Sequence, residues 1–472
     1  MKTRFIEEPY LEFGKDEHFC PRAGIAQFDV YDIRYQTRKK EIFVGAIGTS
    51  ENIDALMAWF EKCAGYIPAK PKNKQPNLYP PFCGFTADYG FKAKLTYGDE
   101  VNRRINNSEI KKLLKIKNWN ERVLEAVDLY YDHIRFLAQN RNVDTIVCVI
   151  PNDLYEKIAH QTLEPVEETI EIDEKPELET NFRRAIKAKC MHLGKPLQLI
   201  RELSLTASSS QQDLATKAWN FSTALYYKAN QTIPWRLVTN DNKPKACFVG
   251  IGFFRSRDKK ILHTSLAQIF DELGNGVILR GTPVSSDKDN LRPHLTDEQA
   301  YTLLKEALSE YRHAMSNFPA RLVVHKSSNF SEAEVAGFQQ AIDEFHISTC
   351  DFVTILDTNL RFFRNGMYPP LRGTQVALER NINLLYTKGS VEYFGTYPAP
   401  YVPRPIEVRI FENDESPDLI CEEILGLTKM NWNNTQFDGK YPITIACARR
   451  VGEIMKYLEE DEKPQIKYSF YM

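Results

Sequence analysis

Acidic residues at two places in the second half of the chain are the candidates for metal-dependent chemistry. Asp271 and Glu272 are adjacent at a predicted hairpin turn, and Asp351 and Asp357 bracket a predicted strand. A two-metal nuclease needs several carboxylates converging on ions roughly 3.5–4 Å apart, because each ion must be charge-balanced while it holds the attacking and leaving oxygens. Both pairs are much more typical of solvated turn residues than of metal ligands. The acids themselves therefore make catalysis by this chain the less favoured interpretation.

Arginines and aromatic residues alternate in one basic stretch, Arg361-Phe-Phe-Arg364, which is followed by Arg372 and Arg380. Such stretches can follow the phosphates of a nucleic acid while their rings stack on bases. Isolated arginines on a β-sheet surface would give the same pattern. The residues leave both interpretations open.

The composition is that of a globular chain long enough for two to four domains. Hydrophobic residues make up 43% of the 472 residues, and the net charge of −2 argues against a uniformly basic surface but not against a local basic channel. The nine cysteines include no Cys-x-x-Cys pair, so they indicate neither a zinc site nor a disulfide framework. No run approaches the ~20 apolar residues of a membrane span, and the N-terminus lacks the apolar core of a signal peptide. We expect no membrane association and a cytoplasmic location.

The first half of the chain predicts a mixed α/β arrangement. Residues 25–35 and 42–47 flank a polar turn in the manner of a hairpin, and a helix with Ser50 as its N-cap is expected up to residue 63. Between residues 119 and 229, helical periodicity alternates with short apolar runs such as 145–150. This alternation predicts a small parallel sheet of Rossmann-like layout.

The second half predicts a different order of elements, beginning with three strand-like runs between Lys245 and Gly281. Two capping pairs, Thr296 with Gln299 and Ser331 with Glu334, then open two helices that alternate with two more strands. Three strands, helix, strand, helix, strand is the order of the RNase H fold.

Several stretches, taken in order, resemble short prokaryotic Argonautes, which consist of a MID and a PIWI domain. The first strand reads Val249-Gly-Ile-Gly252 where PIWI domains usually have Val-Gly-Ile-Asp. Further similar stretches are Trp219–Lys228 with Ile233–Arg236, Gly373–Leu378, Leu384–Gly389 and Leu425–Asn433. The resemblance implies a Rossmann-like MID domain at 118–232 and an RNase H-like PIWI domain at 233–472. Residues 1–117 are then a β-rich N-terminal extension in the MID lobe, and no N or PAZ domain is expected.

The same resemblance implies that the PIWI nuclease site is inactive. The three places that hold metal-binding side chains in active relatives correspond here to Gly252, Ser327 and Arg449. None of these binds magnesium well, and an arginine repels it. The alternatives are an active nuclease that uses other carboxylates, such as those above, and an adaptor that no longer binds a guide.

For the guide's 5′ phosphate, the resemblance implies a pocket formed by Arg183, Lys187, Gln198 and Lys228. Arg183 and Lys187 are one helical turn apart, hence on one face, although Arg184 could take the place of Arg183. Three cations and an amide suit a terminal phosphate, while a solvated basic helix face would look similar. The family can also bridge this phosphate with Mg²⁺ held partly by the C-terminal carboxylate, here that of Met472; no catalytic cofactor is implied.

The resemblance also implies partners and a role. Contacts to the nucleic-acid backbone are expected from Arg255, Arg280, Lys326, Arg361, Arg364 and Arg372. Short Argonautes of this kind pair a guide RNA with single-stranded target DNA. They then activate an APAZ-containing effector, which degrades NAD in antiviral or anti-plasmid defence. For this chain we expect a sirtuin-like effector rather than a TIR effector.

Overall fold

The structure is a computed structural model, and it covers most of the chain. It describes residues 1–159, 180–205, 213–238, 246–269, 276–284, 293–366, 368–395, 397, 402–459 and 462–472. The acidic pair Asp271 and Glu272 lies outside the described residues. Within them, every helix is too short or too polar to cross a membrane.

The N-terminal region contains helices as well as strands. The expected hairpin is wrong, because residues 21–28 form a helix that Pro21 opens and that ends at Asp29, whose φ of 61° turns the chain away. The strand at 42–47 and the helix after it are confirmed, with Thr49 rather than Ser50 as the N-cap. The elements are β1 (Lys2–Phe5), β2 (Leu11–Glu12), β3 (Glu17–His18), α1 (Pro21–Phe28), β4 (Glu41–Gly48), α2 (Ser50–Ala64), β5 (Lys94–Thr96), β6 (Asn102–Arg104) and α3 (Asn107–Lys115).

The expected parallel sheet is confirmed in the next part of the chain. Its strands run in the order β5-β4-β7-β8, with β6 also paired to β4, and all neighbours are parallel. All six residues of β7 are buried, as in strands covered by helices on both faces. Since β4 lies in this sheet, the sheet crosses the predicted boundary at residue 117, and the domain limits remain predictions. The elements are α4 (Trp119–Asn140), β7 (Thr145–Ile150), α5 (Asn152–Ile158), α6 (Phe182–Lys189), β8 (Leu197–Arg201), α7 (Glu202–Leu205), α8 (Leu214–Asn230) and β9 (Arg236–Leu237).

The remaining elements build a nine-stranded sheet whose core has the expected RNase H order. Three antiparallel strands, β12-β11-β10, continue into β13 and β14, which run parallel to β10. Both predicted capping boxes are present. The elements are β10 (Ala246–Arg255), β11 (Leu262–Ile269), β12 (Gly276–Val284), α9 (Asp297–Met315), β13 (Arg321–Lys326), α10 (Glu332–Glu344), β14 (Thr349–Asp357), β15 (Thr374–Glu379), β16 (Ile382–Leu385), β17 (Ile406–Asn413), α11 (Pro417–Leu427) and α12 (Ile443–Met455).

The N-terminal strand is part of this second sheet. β1 pairs with β15 at its edge, and Glu8 then forms ion pairs with Arg372 and Lys429. Both cationic side chains are fully buried, so the carboxylate of Glu8 compensates two charges that have no access to water. Residues 1–9 are therefore integral to the second sheet although they lie far from it in sequence.

Helix α12 connects the two sheets. It crosses β10 so closely that a Cβ on Gly250 would lie 2.3 Å from the carbonyl oxygen of Thr444. On its other side, α12 meets α6, where Arg184 forms an ion pair of 2.6 Å with Glu453. This position brings side chains of α12 next to those of the parallel sheet.

Candidate functional site

A cavity of about 960 Å³ opens between α6, β8, α8 and α12. The side chains that line it are predominantly basic, whereas the chain as a whole is nearly neutral. Among the described residues that line it, one is acidic, Glu453, and eight are basic. Low-dielectric walls that carry one sign of charge concentrate the field inside a cleft, so this cavity attracts anions. The basic residues are Arg183, Arg184, Lys187, Arg201, Lys217, Lys228, Arg449 and Arg450.

Helix α6 places two of these side chains in the cavity. Asn181 caps the helix by accepting a hydrogen bond from the backbone N–H of Arg184. Arg183 and Lys187 follow one turn apart and both line the cavity. The rest of the helix packs its apolar residues inward, which draws Lys187 down to 3% exposure. Its position on a buried face, rather than among solvated charges, sets this lysine apart from a surface residue.

The other two residues of the predicted set meet Lys187 in the same cavity. Gln198 projects from β8, and its Oε1 accepts a hydrogen bond from Nζ of Lys228 at the end of α8. Lys228 is 2% exposed. Nζ of Lys187 is buried and has no hydrogen-bond partner within the part of the chain that the structure describes. The structure thus brings Arg183, Lys187, Gln198 and Lys228 together, with one ammonium group left unpaired.

The electrostatics of this cluster are those of a site that lacks its counter-charge. Burial, and then repulsion from Lys228, Arg183 and Arg450, holds the pKa of Lys187 well below its usual value. The pKa of Lys228 is lowered well below normal by burial and by the two arginines. Burial and Arg450 also lower the pKa of Arg183. Buried cations are normally paired, so an anion bound here would remove a large penalty.

Arg450 belongs to this cluster and was not anticipated from the sequence. It comes from α12, and its Nη1 donates a hydrogen bond of 3.4 Å to the buried hydroxyl of Tyr468. Ala446, Arg450, Glu453 and Ile454 line the cavity at helical spacing. The available sequence signal was the charged residues Arg449, Arg450 and Glu453 in a largely apolar helix, but nothing in the sequence showed that α12 faces α6.

Arg184 does not compete for the place of Arg183. Its guanidinium pairs with Glu453 at 2.6 Å, and Glu453 also pairs with Lys456 at 2.9 Å. Arg183, in contrast, contributes to lowering the pKa of both buried lysines. Arg184 therefore joins α6 to α12, and Arg183 faces the cluster.

The lining side chains do not form a magnesium site. The described residues contain no group of three or more His, Cys, Asp and Glu side chains suited to a metal ion. Glu453, the acid of the cavity, is engaged by two cations. Met472 is fully buried and lines the cavity, so its place fits the expectation, but the surrounding charge is positive. Magnesium at this site stays a prediction.

Two of the three predicted inactive nuclease positions are neighbours, Gly252 within β10 and Ser327 directly after β13, and the third, Arg449, lies on α12. Gly252 is buried in β10, and the backbone N–H of Ser327 donates to the carbonyl of Ile251 over 3.3 Å. Arg449 stacks on the ring of Tyr441 at 4.2 Å and lines the basic cavity. The loss of catalysis itself remains a prediction.

The alternative acids within the described residues have structural partners. Asp351 is buried, pairs with Arg321 at 2.7 Å and accepts two backbone N–H groups. Asp357 is bound by Lys440 and by the Tyr441 hydroxyl at 2.6 Å. These two carboxylates hold loops and helix ends in place.

Two of the six expected backbone contacts are wrong. Lys326 is fully buried and paired with Glu334, and Arg372 is buried against Glu8 and the carbonyl oxygen of Leu425. Neither side chain can reach a ligand at the surface. Of the others, Arg280 is partly exposed and donates to the carbonyl of Glu459, and three are exposed: Arg255, Arg361 and Arg364.

Comparison with known proteins identifies the fold. No protein-family model matches the chain. A stretch of 231 residues, 47% of the chain, is 26% identical to the protein argonaute of Aquifex aeolicus (strain VF5) and covers 29% of that protein.

Three solved structures match 99% of this chain. Clostridium butyricum Argonaute bound to a guide DNA and a 19-mer target DNA matches with a TM-score of 0.68 at 15% identity, over 54% of its own length. Drosophila Piwi matches with a TM-score of 0.59 at 14% identity, over 56% of its length. Aa-Ago with externally bound siRNA matches with a TM-score of 0.61 at 17% identity, also over 56%.

The fold is accordingly that of the MID and PIWI parts of Argonaute and Piwi proteins. The sequence is Argonaute-like over about half of its length. The chain spans about half of the solved relatives and less than a third of the curated one.

Proposed function

We propose that this chain holds the phosphorylated 5′ end of a short nucleic-acid guide and uses the guide to recognise a complementary strand. The observation that carries the proposal is a cationic cluster in which the buried Lys187 and Lys228 lie beside the exposed Arg183 and the partly exposed Arg450. Among the described residues, Nζ of Lys187 has no hydrogen-bond partner. A terminal phosphate carries nearly two negative charges and three acceptor oxygens, and it can enter a recess. An internal phosphodiester has one charge and is tethered on both sides.

The proposal that the bound phosphate is the 5′ end of a guide strand rests on the similarity to Argonaute proteins. The solved relative from Clostridium butyricum carries a guide DNA together with a target DNA. In such a system base pairing reads the sequence, and the protein fixes the geometry of one strand. We propose an RNA guide and a single-stranded DNA target for this chain, with a cytoplasmic location.

The output that we propose is activation of a partner rather than cleavage. Gly252 and Ser327 offer no carboxylate where a two-metal nuclease needs one. We therefore propose an APAZ-containing effector, sirtuin-like or TIR, that degrades NAD when the target pairs with the guide. Mixing chain, effector, guide and matching single-stranded DNA should consume NAD, and omitting the target should not. Consumption without target, or no stable complex, would contradict this part of the proposal.

An active nuclease is the second candidate, and within the described residues no observation favours it. The carboxylates of Asp351 and Asp357 are both paired with cations, and that of Asp351 also accepts hydrogen bonds from backbone N–H groups.

The primary test is the nucleic acid that co-purifies with the chain. Labelling its 5′ ends with kinase before and after phosphatase treatment shows whether those ends carry phosphate. We expect short strands that label only after phosphatase treatment. Ends that label equally without phosphatase, or the absence of any bound strand under low-salt purification, would refute the proposal.

A further inference from the structure

An exposed aromatic ring stands on the loop that follows β14. Phe363 is 88% exposed and Leu360 is 49% exposed. A phenyl ring so fully in water contributes nothing to the core, since the benefit of burial scales with the apolar area removed from solvent. The ring is therefore free to contact a ligand without loss to the core.

The loop around Phe363 is held at several points. The backbone N–H of Phe362 donates to the Tyr386 hydroxyl over 2.7 Å, and the two rings meet edge to face at 6.4 Å. Asn359 accepts a hydrogen bond of 3.0 Å from Arg404. With Phe362 fastened inward, its neighbour Phe363 is presented outward.

The chemistry around the ring indicates the class of ligand. Residues 358–366 include Arg361 and Arg364 and no acidic residue, and Arg404 is fastened to the same loop. An apolar protein surface would not need several cations beside the ring. Aromatic rings between arginines suit a nucleic-acid strand, whose bases stack while its phosphates meet the cations.

The loop also adjoins the basic cavity through a short series of contacts. Asp357, the residue before the loop, accepts a hydrogen bond from the Tyr441 hydroxyl. Arg449 stacks on the same Tyr441 ring, and both residues line the cavity. Tyr441 and Arg449 therefore connect the lining of the cavity to the start of the loop, and a bound strand that leaves the cavity on this side would meet the loop.

We infer that Phe363 stacks on an unpaired base of the bound strand, with Arg361 and Arg364 on the flanking phosphates. This inference rests on the proposed function, because the strand must first be anchored in the cavity. It assigns the stacking contact to Phe363 rather than to Phe362, whose ring packs against Tyr386.

Binding of two 5′-phosphorylated strands tests this inference. One is a dinucleotide, and the other is long enough to reach the loop and carries 2-aminopurine at successive positions. F363A should weaken the long strand by about 5- to 150-fold, the range for one stacked base, and leave the dinucleotide unchanged. F363W should restore binding, and fluorescence quenching at one position should disappear in F363A. Y66A removes an exposed ring elsewhere, 63% accessible, and should behave as wild type.

The outcomes separate this inference from the proposed function. If F363A binds the long strand as tightly as wild type while K187A weakens both strands, the stacking contact is refuted and the anchored phosphate stands. If K187A also leaves both strands unchanged, the proposed function fails with it. Equal losses for F363A and Y66A would also overturn a specific stacking contact.

Discussion

Replacing Lys187 by Met should have opposite effects on the free protein and on guide binding. The substitution keeps a chain of similar length on the buried face of α6 and removes one charge from the cluster with Lys228, Arg183 and Arg450. In the free protein, Nζ of Lys187 forms no hydrogen bond with any described residue that the substitution would remove. In the complex, the same group would contact the phosphate.

The two magnitudes follow from these contacts. A buried, unpaired donor costs about 1–3 kcal/mol, so the free energy of unfolding of the unliganded protein should rise by an amount in that range. A charge-assisted hydrogen bond contributes about 1.5–3 kcal/mol, so a 5′-phosphorylated guide should bind roughly 10- to 150-fold more weakly. Denaturant unfolding without nucleic acid measures the first change, and fluorescence anisotropy with 5′-phosphate and 5′-hydroxyl guides measures the second.

Lys189 on the same helix provides the matched control. Its side chain is 41% exposed and pairs with Asp128 outside the cavity, so K189M should change stability by no more than about 0.5 kcal/mol. A destabilised K187M protein that loses affinity equally for both guides would refute the reasoning. Lys187 would then be a structural residue.

Three further predictions concern other parts of the molecule. E8Q leaves the buried charge of Lys429 uncompensated and should lower the free energy of unfolding by about 3–5 kcal/mol. E7Q changes the neighbouring exposed side chain and should not lower it. Equal effects of the two variants in denaturant titrations would contradict the role of the ion pair. Because a bound phosphate raises the lowered pKa values of Lys187 and Lys228, guide binding should take up protons, and the affinity for the 5′-phosphorylated guide should fall as pH rises through the pKa of the free site. Calorimetry in buffers of different ionisation enthalpy measures this proton uptake, and an uptake of zero would count against the prediction. The purified chain with guide and matched target in Mg²⁺ or Mn²⁺ should yield no cut product on a denaturing gel, and cleavage opposite one guide position would disprove the inactive nuclease site.

The lowered pKa values of Lys187 and Lys228 also determine the direction in which the stability of the protein changes with pH. Between the lowered values and the normal lysine value of 10.5, the unfolded chain binds more protons than the folded one. The stability of the unliganded protein should therefore rise with pH across that window. For Glu8 the direction differs: burial raises its pKa, but Arg372 and Lys429 outweigh burial and lower it, so its contribution is lost as pH falls through the folded value.

Local patterns in the sequence predicted five of the nine strands of the second sheet, β10 to β14, and the part of the parallel sheet that follows residue 118. The capping residues of α9 and α10 contact groups only three residues away, and the apolar run of β7 is continuous. Such short-range patterns can be recognised from the sequence alone. The hairpin prediction failed because residues 25–35 have apolar residues compatible with either a strand or a helix. Pro21 and Asp29, which begin and end α1, decide between the two.

Long-range partners explain the errors at the site. Lys326 is the last residue of a strand, so the sequence is compatible with a side chain that faces either a cleft or the core. Its side chain faces the core because it pairs with the buried Glu334 of α10. Arg372 is neutralised by Glu8, a residue 364 positions earlier in the chain. Arg450 was missed for the same reason, because the contact between α12 and α6 is tertiary. Arg183, Lys187, Gln198 and Lys228 came from the family resemblance, and their convergence is what the structure adds.

The most direct test of the central claim is the ratio of two dissociation constants for the wild-type chain. The same single strand is measured with a 5′ phosphate and with a 5′ hydroxyl, at several salt concentrations. Two or more charge-assisted contacts in a buried cluster predict a ratio of at least about 100 that persists at high salt, since buried pairs are screened little. A ratio near one, or a preference that vanishes with salt, would show that the cavity does not bind the terminal phosphate.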